Sequence, residues 1–277
     1  MDMGRAKTLC ILHGNCQGET LAALLLASPE FNQAFEIRFH VNFTRQAVPA
    51  EDLARCGLFL HQHLGEEWLE LSSNHLRGQL PKKAHSLCFP NMLFKGYWPF
   101  WTSGTGVELA DSLLDHLIEQ GLGKADILHV ALRGDLDAMF GLAGLLEETL
   151  AREREKEKSS AVKYVDIIEK GFRREKLFQS VNHPGNRLML HVADSVLSAL
   201  GMPPLPQGFK EVCPVLHPKF EMPIHPQVAA FHGLSFAGQG CRFNVYGVAL
   251  TYAEYMGLYV DCRLAGRGDF INFLHGR

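Results

Sequence analysis

The chain has 277 residues, of which 47% are hydrophobic and 21% charged, and its formal net charge is −3. That is the balance of a globular protein long enough to bury a substantial core, with no overall charge to recruit nucleic acid or an anionic membrane surface. Seven cysteines, at 10, 16, 56, 88, 213, 241 and 262, form no C-x-x-C pair, which argues against a disulfide framework or a zinc knuckle and for reduced thiols.

Arg5 and Lys7 precede an apolar run that His13, Gly14 and Asn15 interrupt. The run is too short for a signal-peptide core or a membrane span, so a cytoplasmic protein without a transmembrane segment is expected. Thr8 to Leu12 reads as a strand, Gly14-Asn15-Cys16-Gln17 as a tight turn, and Thr20, Leu21, Leu24 and Leu25 as the apolar face of a helix. Phe35 to Phe43 alternates with period two, and Gly57 to His63 is a short apolar run with a polar end; both predict strands. Between them a short helical turn is expected at Pro49 to Asp52, and after the second of them a helix over Glu66 to Leu76, a surface turn at Pro81 and a fourth strand over His85 to Pro90.

Strand and helix alternating every ~25 to 30 residues predict a parallel sheet with crossover helices. In such sheets ligands bind at the carboxyl ends of the strands, which would put Gly14 to Gln17, His61 to His63 and Pro90-Asn91 on one rim. Beyond Gly106 the pattern turns helical: Val107 to Gln120, a strand or helix start at Asp126 to Leu132, one long helix over Leu136 to Lys158, another over Val162 to Phe178, and an amphipathic helix from Arg187 to Gly201. Pro203 to Pro226 holds seven of the 13 prolines and is expected to be irregular, whereas Tyr246 to Val260 reads as a final helix, core rather than dimer face. The expected architecture is α/β: one domain over 1–277, with a parallel-sheet core in 1–132 and a mainly helical portion in 133–277. Whether the chain forms a homo-oligomer stays open.

Cys16 opens the first helix, where free N–H groups and the positive dipole end favour a thiolate. As a nucleophile or acyl contact it would have the N–H groups of Gln17 and Gly18 as an oxyanion hole. Equally, it fits the pattern of a small buried residue at a strand end. Gly14 permits close approach of a ligand to backbone, and Asn15 and Gln17 supply amides. His183, in Asn182-His183-Pro184-Gly185-Asn186, stands at a rigid junction before a helix, placed either as a base or as a turn cap, with Asn186 as a helix cap or ligand contact. His61 and His63 read as pocket lining, since no third ligand at metal-site spacing accompanies them. The aromatic stretch Pro90 to Trp101 offers Asn91, Lys95 and Tyr97 to a ring-bearing ligand.

Three of these pieces carry a resemblance: Gly14-Asn15-Cys16-Gln17 after the first strand, the Pro90-Asn91-x-x-Phe94-x-Gly96-Tyr97-x-Pro99 loop, and His183-Pro184-x-Asn186 opening a helix. Together they resemble the WcbI-type family of capsular polysaccharide biosynthesis proteins, regarded as coenzyme A-dependent acetyltransferases. The resemblance touches residues 8 to 200 and implies acetyl-CoA as co-substrate, no metal, and a sugar-nucleotide or polysaccharide acceptor. It implies Cys16 and His183 as the catalytic pair, in one of two ways. Either the thiolate takes the acetyl group and His183 then activates the sugar hydroxyl, or His183 alone is the base while Cys16 and Gln17 shape the oxyanion site. Lys95, Arg133 and Arg187 are the candidate phosphate contacts.

The order of parts is also similar to SGNH-type esterases on a flavodoxin-like core, with Cys in the place of Ser, although Ser180 stands where their Asp-x-x-His pattern needs an acid. A thiol-dependent esterase and a noncatalytic module binding coenzyme A or glycan are the competing expectations. No Walker loop or Gly-x-Gly-x-x-Gly supports a nucleotide cofactor of another kind.

Overall fold

The computed structural model describes residues 6–103 and 109–276. Their contacts divide the chain into two compact units. The first holds the described residues up to Met92 together with Glu153–Ile168 and His183–Leu216. The second holds Leu93–Arg152, Glu169–Asn182 and the described residues from His217 onward. The sheet-bearing unit thus takes the described residues up to Met92 and draws on two later segments.

In order the elements are β1 (Thr8–Gly14), α1 (Cys16–Leu26), α2 (Pro29–Ala34), β2 (Phe35–Val41), α3 (Ala50–Arg55), β3 (Cys56–His61), α4 (Ser73–Gly78) and β4 (His85–Cys88). There follow β5 (Trp101–Thr102), β6 (Ala110–Asp111), α5 (Ser112–Glu119), α6 (Lys124–Arg133), α7 (Leu136–Phe140), α8 (Leu142–Lys158) and α9 (Val165–Gly171). The chain continues through β7 (Phe178–Ser180), β8 (His183–Pro184), α10 (Asn186–Ala199), α11 (Gln207–Val212) and α12 (Pro226–His232). It ends with β9 (Phe243–Val245), β10 (Val248–Leu250), α13 (Tyr252–Leu264) and α14 (Phe270–His275).

The first unit is a four-stranded sheet in the order β2-β1-β3-β4, with every pair parallel. Period-two alternation sorts β1 into two faces. Leu9 and Ile11 join Val48, Leu53, Phe59 and Leu76 in a buried cluster with α3 and α4. On the other face α1 lies over Leu12 and Phe39: a Cβ added at Gly18 would meet their side chains at 2.8 and 3.0 Å. That glycine is what lets the helix approach so closely, and α10 packs beside α1. Because the chain leaves β1 toward β2 and returns to its other side with β3, the carboxyl end of β1 is the topological switch point of the sheet.

The second unit is mainly helical, with α13 packed on α5 and α6. Asp115 accepts from Tyr259 Oη and from Arg263 Nε, both at 2.8 Å, and so ties α13 to α5. Its aromatic core includes Phe94, Tyr97, Trp98, Phe172 and Phe178.

Several expected elements differ in their limits. The helix expected over 66–76 is a 3-10 turn at Glu66–Leu71 followed by α4, whose cap is the Ser72 hydroxyl. The helix expected from 107 begins at Ser112 behind the Asp111 cap, and residues 107 and 108 lie outside those described. Asp126 to Leu132 is helical, within α6. The long helix expected over 136–158 is interrupted at Gly141, whose φ of 63° closes α7 before α8 begins. Only Val165–Gly171 of the expected 162–178 helix forms, and α11 interrupts the irregular proline-rich segment. The expected helix over 246–260 is first a hairpin, turning at Tyr246 and Gly247 with φ of 51° and 89°. It then becomes α13, started by a Thr251–Glu254 capping box.

Candidate active site

The turn at the switch point is held from three sides within the first unit. Asn15 caps α1, its Oδ1 accepting from Gln17 N at 3.0 Å, while its Nδ2 donates to Asn91 Oδ1 at 3.1 Å. The Asn15 backbone N–H donates to Gln62 Oε1 at 2.9 Å, and Gln62 Nε2 donates in turn to Pro90 O at 3.1 Å. Gln17, itself buried, acts as a strand-like clamp: its Oε1 accepts from Met92 N at 3.0 Å and its Nε2 donates to Met92 O at 2.7 Å. The Gly14-Asn15-Cys16-Gln17 turn and the Pro90-Asn91-Met92 segment are therefore one hydrogen-bonded body.

Gly14 serves packing in this body. A Cβ there would lie 2.8 Å from the ring of Phe89 and 3.3 Å from Gln62 Oε1, so the space above it is taken by protein. The N–H groups expected to form an oxyanion hole are also committed, Gln17 N to Asn15 Oδ1 and Gly18 N to Asn15 O at 2.8 Å. The first helical N–H, that of Cys16 itself, remains beside the thiol.

Cys16 is half-buried. Burial pushes its thiol above the ordinary cysteine value, outweighing the N–H groups of Gln17 and Cys16 that act the other way, and Glu19 adds to the rise. The helix N-terminus thus does not by itself make a thiolate here, because desolvation is the larger effect. A base is needed to take the proton. His183 stands in β8, which packs against α1, the helix that Cys16 opens.

The two histidines of the His61-Gln62-His63 turn part company. His61 is buried on the α3/α4 side, stacked on Phe59 with ring centroids 4.7 Å apart, with Nδ1 3.3 Å from Ser73 Oγ. Burial lowers its pKa to about 4, so it is neutral. His63 lies past the strand end, is exposed, and lines a cleft with Cys88 and Asn91. Asn186 neither caps α10, whose cap is Gly185, nor points at an open site. Its Nδ2 donates to Cys213 O and Pro214 O at 3.2 and 2.9 Å, and its Oδ1 accepts from Leu216 N at 2.9 Å. Arg187 is exposed in the first turn of α10.

Lys95, Tyr97 and Arg133 belong to the second unit. Tyr97 is fully buried and its hydroxyl donates to Phe172 O at 2.8 Å, which makes it part of the aromatic core. Lys95 is half-buried, its pKa lowered by burial and by Arg152, and Arg133 is exposed at the end of α6.

Two residues that sequence reading passed over matter here. Gln62 links β1 to the Pro90 segment, and its only signal was an amide between two histidines at a strand end. His13 lies in register between His40 and His61, the three spanning the carboxyl edge of the sheet. Burial, with the other two rings, lowers the His13 pKa to about 4. Among the described residues no three His, Cys, Asp or Glu side chains converge to hold a metal ion, and no helix is long and apolar enough to cross a membrane.

A parallel α/β sheet with a clamped cysteine turn at its switch point is the class of protein that these observations define. Within that class, the chain belongs to the WcbI family of polysaccharide biosynthesis enzymes, whose sequence profile matches residues 9–205. A solved structure described as WcbI, a polysaccharide biosynthesis enzyme, has the same fold, with a TM-score of 0.76 at 18% identity, covering 98% of this chain and 91% of that one. That structure is described as the native protein without a disulfide bond between coenzyme A and one of its cysteines. No curated protein sequence matches the chain.

Proposed function

We propose that this protein is a cytoplasmic acyltransferase that moves an acetyl group from acetyl-CoA to a sugar hydroxyl during capsular or surface polysaccharide biosynthesis. The observation that carries this reading is the clamped Cys16 turn at the switch point of a WcbI-family fold. The related structure is described as lacking a disulfide bond between coenzyme A and one of its cysteines, and thioester exchange would bring two such sulfurs side by side.

In the first step His183 takes the Cys16 thiol proton, the sulfur attacks the acetyl carbonyl, and the bond between that carbon and the coenzyme A sulfur breaks. Coenzyme A leaves as a thiolate and takes up a proton. In the second step His183 accepts the proton of the sugar hydroxyl, whose oxygen attacks the acetyl-cysteine, and the thiol is restored. Because burial keeps Cys16 protonated in the free protein, proton removal belongs to the reaction itself. The Cys16 N–H, which lies beside the thiol, is the candidate donor to the developing oxyanion.

Coenzyme A is expected to raise the melting temperature of the protein. A ligand bound only by the folded state stabilises it by about 2.7 kcal/mol at a hundredfold excess over Kd. Differential scanning fluorimetry with coenzyme A and with acetyl-CoA reads this directly, and no shift at saturating ligand contradicts the proposal.

A further inference from the structure

We propose that the cleft beside the Cys16 turn holds a pyranose ring of the acceptor; this rests on the acetyl-transfer reading. The cleft has a volume of about 340 Å³ and lies where the end of β4 meets the end of α8, with Ala161 N donating to Cys88 O at 2.8 Å to join the two. Its size is at the lower end of small-molecule sites, roughly 300–1,000 Å³, enough for one sugar ring.

Its chemistry suits a neutral polyhydroxyl compound. Cys88, Phe89 and Pro90 line one side of it, with the Phe89 ring itself turned inward against Gly14, while His63 and the exposed Ser159 bring polar groups to the same space. The charges cancel: Lys156 Nζ lies 2.5 Å from Glu153 Oε1, and Lys158 Nζ lies 2.5 Å from Glu155 Oε2. Among the described residues that line the cleft, each lysine is thus matched by a carboxylate rather than left as a lone cation for a phosphate. Paired ammonium and carboxylate groups instead alternate donors and acceptors, as adjacent sugar hydroxyls do.

Asn91 joins this cleft to the thiol turn. Its Oδ1 accepts from Asn15 Nδ2, and its backbone carbonyl accepts from Lys156 Nζ at 2.7 Å. Among the described residues its Nδ2 has no acceptor, which leaves an oriented donor on the wall of the cleft for a ligand hydroxyl. Lys156 likewise keeps one of its three N–H groups beyond Glu153 and Asn91. A ring held there sits one side chain away from the residue that caps the Cys16 helix.

The test is a ¹H–¹⁵N titration of the full-length protein with coenzyme A and, separately, with the methyl pyranosides of glucose, galactose and mannose. Coenzyme A is expected to shift the amide signals of Cys16 and Gln17, and at least one glycoside those of Asn91, Ser159 and Ser160. Ser159 is exposed, so Ser159→Trp fills the cleft without touching the core. It is expected to weaken glycoside binding at least about tenfold and to leave the coenzyme A shifts unchanged.

The inference is overturned if no glycoside perturbs those three amides, or if Ser159→Trp leaves the sugar shifts intact. Loss of coenzyme A binding in Ser159→Trp also overturns it, because the cleft would then belong to the coenzyme. A wild-type protein in which coenzyme A leaves Cys16 and Gln17 unmoved instead refutes the transfer reading, while the sugar arm still reports on the cleft.

Discussion

Cys16→Ala is expected to lower kcat for acetyl transfer by roughly 10³-fold or more, and His183→Ala by a similar factor, because each removes one half of a unit that acts together. The double variant should then be little worse than either single one, since the second change removes a partner whose work has already stopped. Cys16→Ala should not unfold the protein: Cys16 is half-buried at a helix start, and its own side chain takes no part in the clamp around it. Acetyl-CoA consumption with a sugar acceptor, measured on all three variants, checks this. Turnover that survives both single changes would remove Cys16 and His183 from the chemistry. Turnover lost only in His183→Ala would leave a direct transfer with the histidine as sole base.

Gln17→Leu is expected to destabilise the first unit by about 2–6 kcal/mol, although leucine is apolar and of similar size. The side-chain amide of Gln17 satisfies both the N–H and the C=O of Met92, at 3.0 and 2.7 Å, and all three groups are buried. Leucine leaves two buried backbone groups without partners, at about 1–3 kcal/mol each. The same change frees the Pro90-Asn91-Met92 segment from the turn, so coenzyme A affinity should fall with stability. Chemical denaturation followed by the fluorescence of Trp68, which lies in the first unit, reads the stability term. Wild-type stability in Gln17→Leu would mean that the clamp contributes nothing.

How far the sequence announces this arrangement depends on the distance over which each residue acts. The alternation in Phe35 to Val41, the apolar runs of β1 and β3 and the glycine-bearing turn are local, and they yield the parallel sheet and its carboxyl rim directly. The limits of the helices fail where one residue overrides the pattern: Gly141 in the left-handed region breaks a continuous 3.6-residue periodicity.

The site is legible in its residue types but not in its bonds. Gln17 reads as a spare amide near a thiol, yet its partner is 75 residues away. Asn186 reads as a cap, yet it pins a segment about thirty residues further on. His61 and His63 look alike at spacing two, but the strand ends at His61, so one is buried beside Phe59 and the other exposed. For Cys16 the sequence predicts a helix-stabilised thiolate, while the structure adds the larger, opposing effect of burial.

That opposition allows a direct test of the central claim, that coenzyme A binds with its sulfur at Cys16. Iodoacetamide has no affinity for the site, so its reaction with Cys16 should be slow at neutral pH and rise only as the pH approaches a thiol value held above the ordinary one. The disulfide of coenzyme A should behave oppositely, exchanging with the bound thiol to give a Cys16 mixed disulfide and one released coenzyme A thiol. Peptide mass mapping after brief exposure is predicted to find the adduct at Cys16 well before the half-buried Cys88, Cys213 and Cys241. Adducts that appear at those three cysteines as fast as at Cys16, or none at Cys16, would contradict the account.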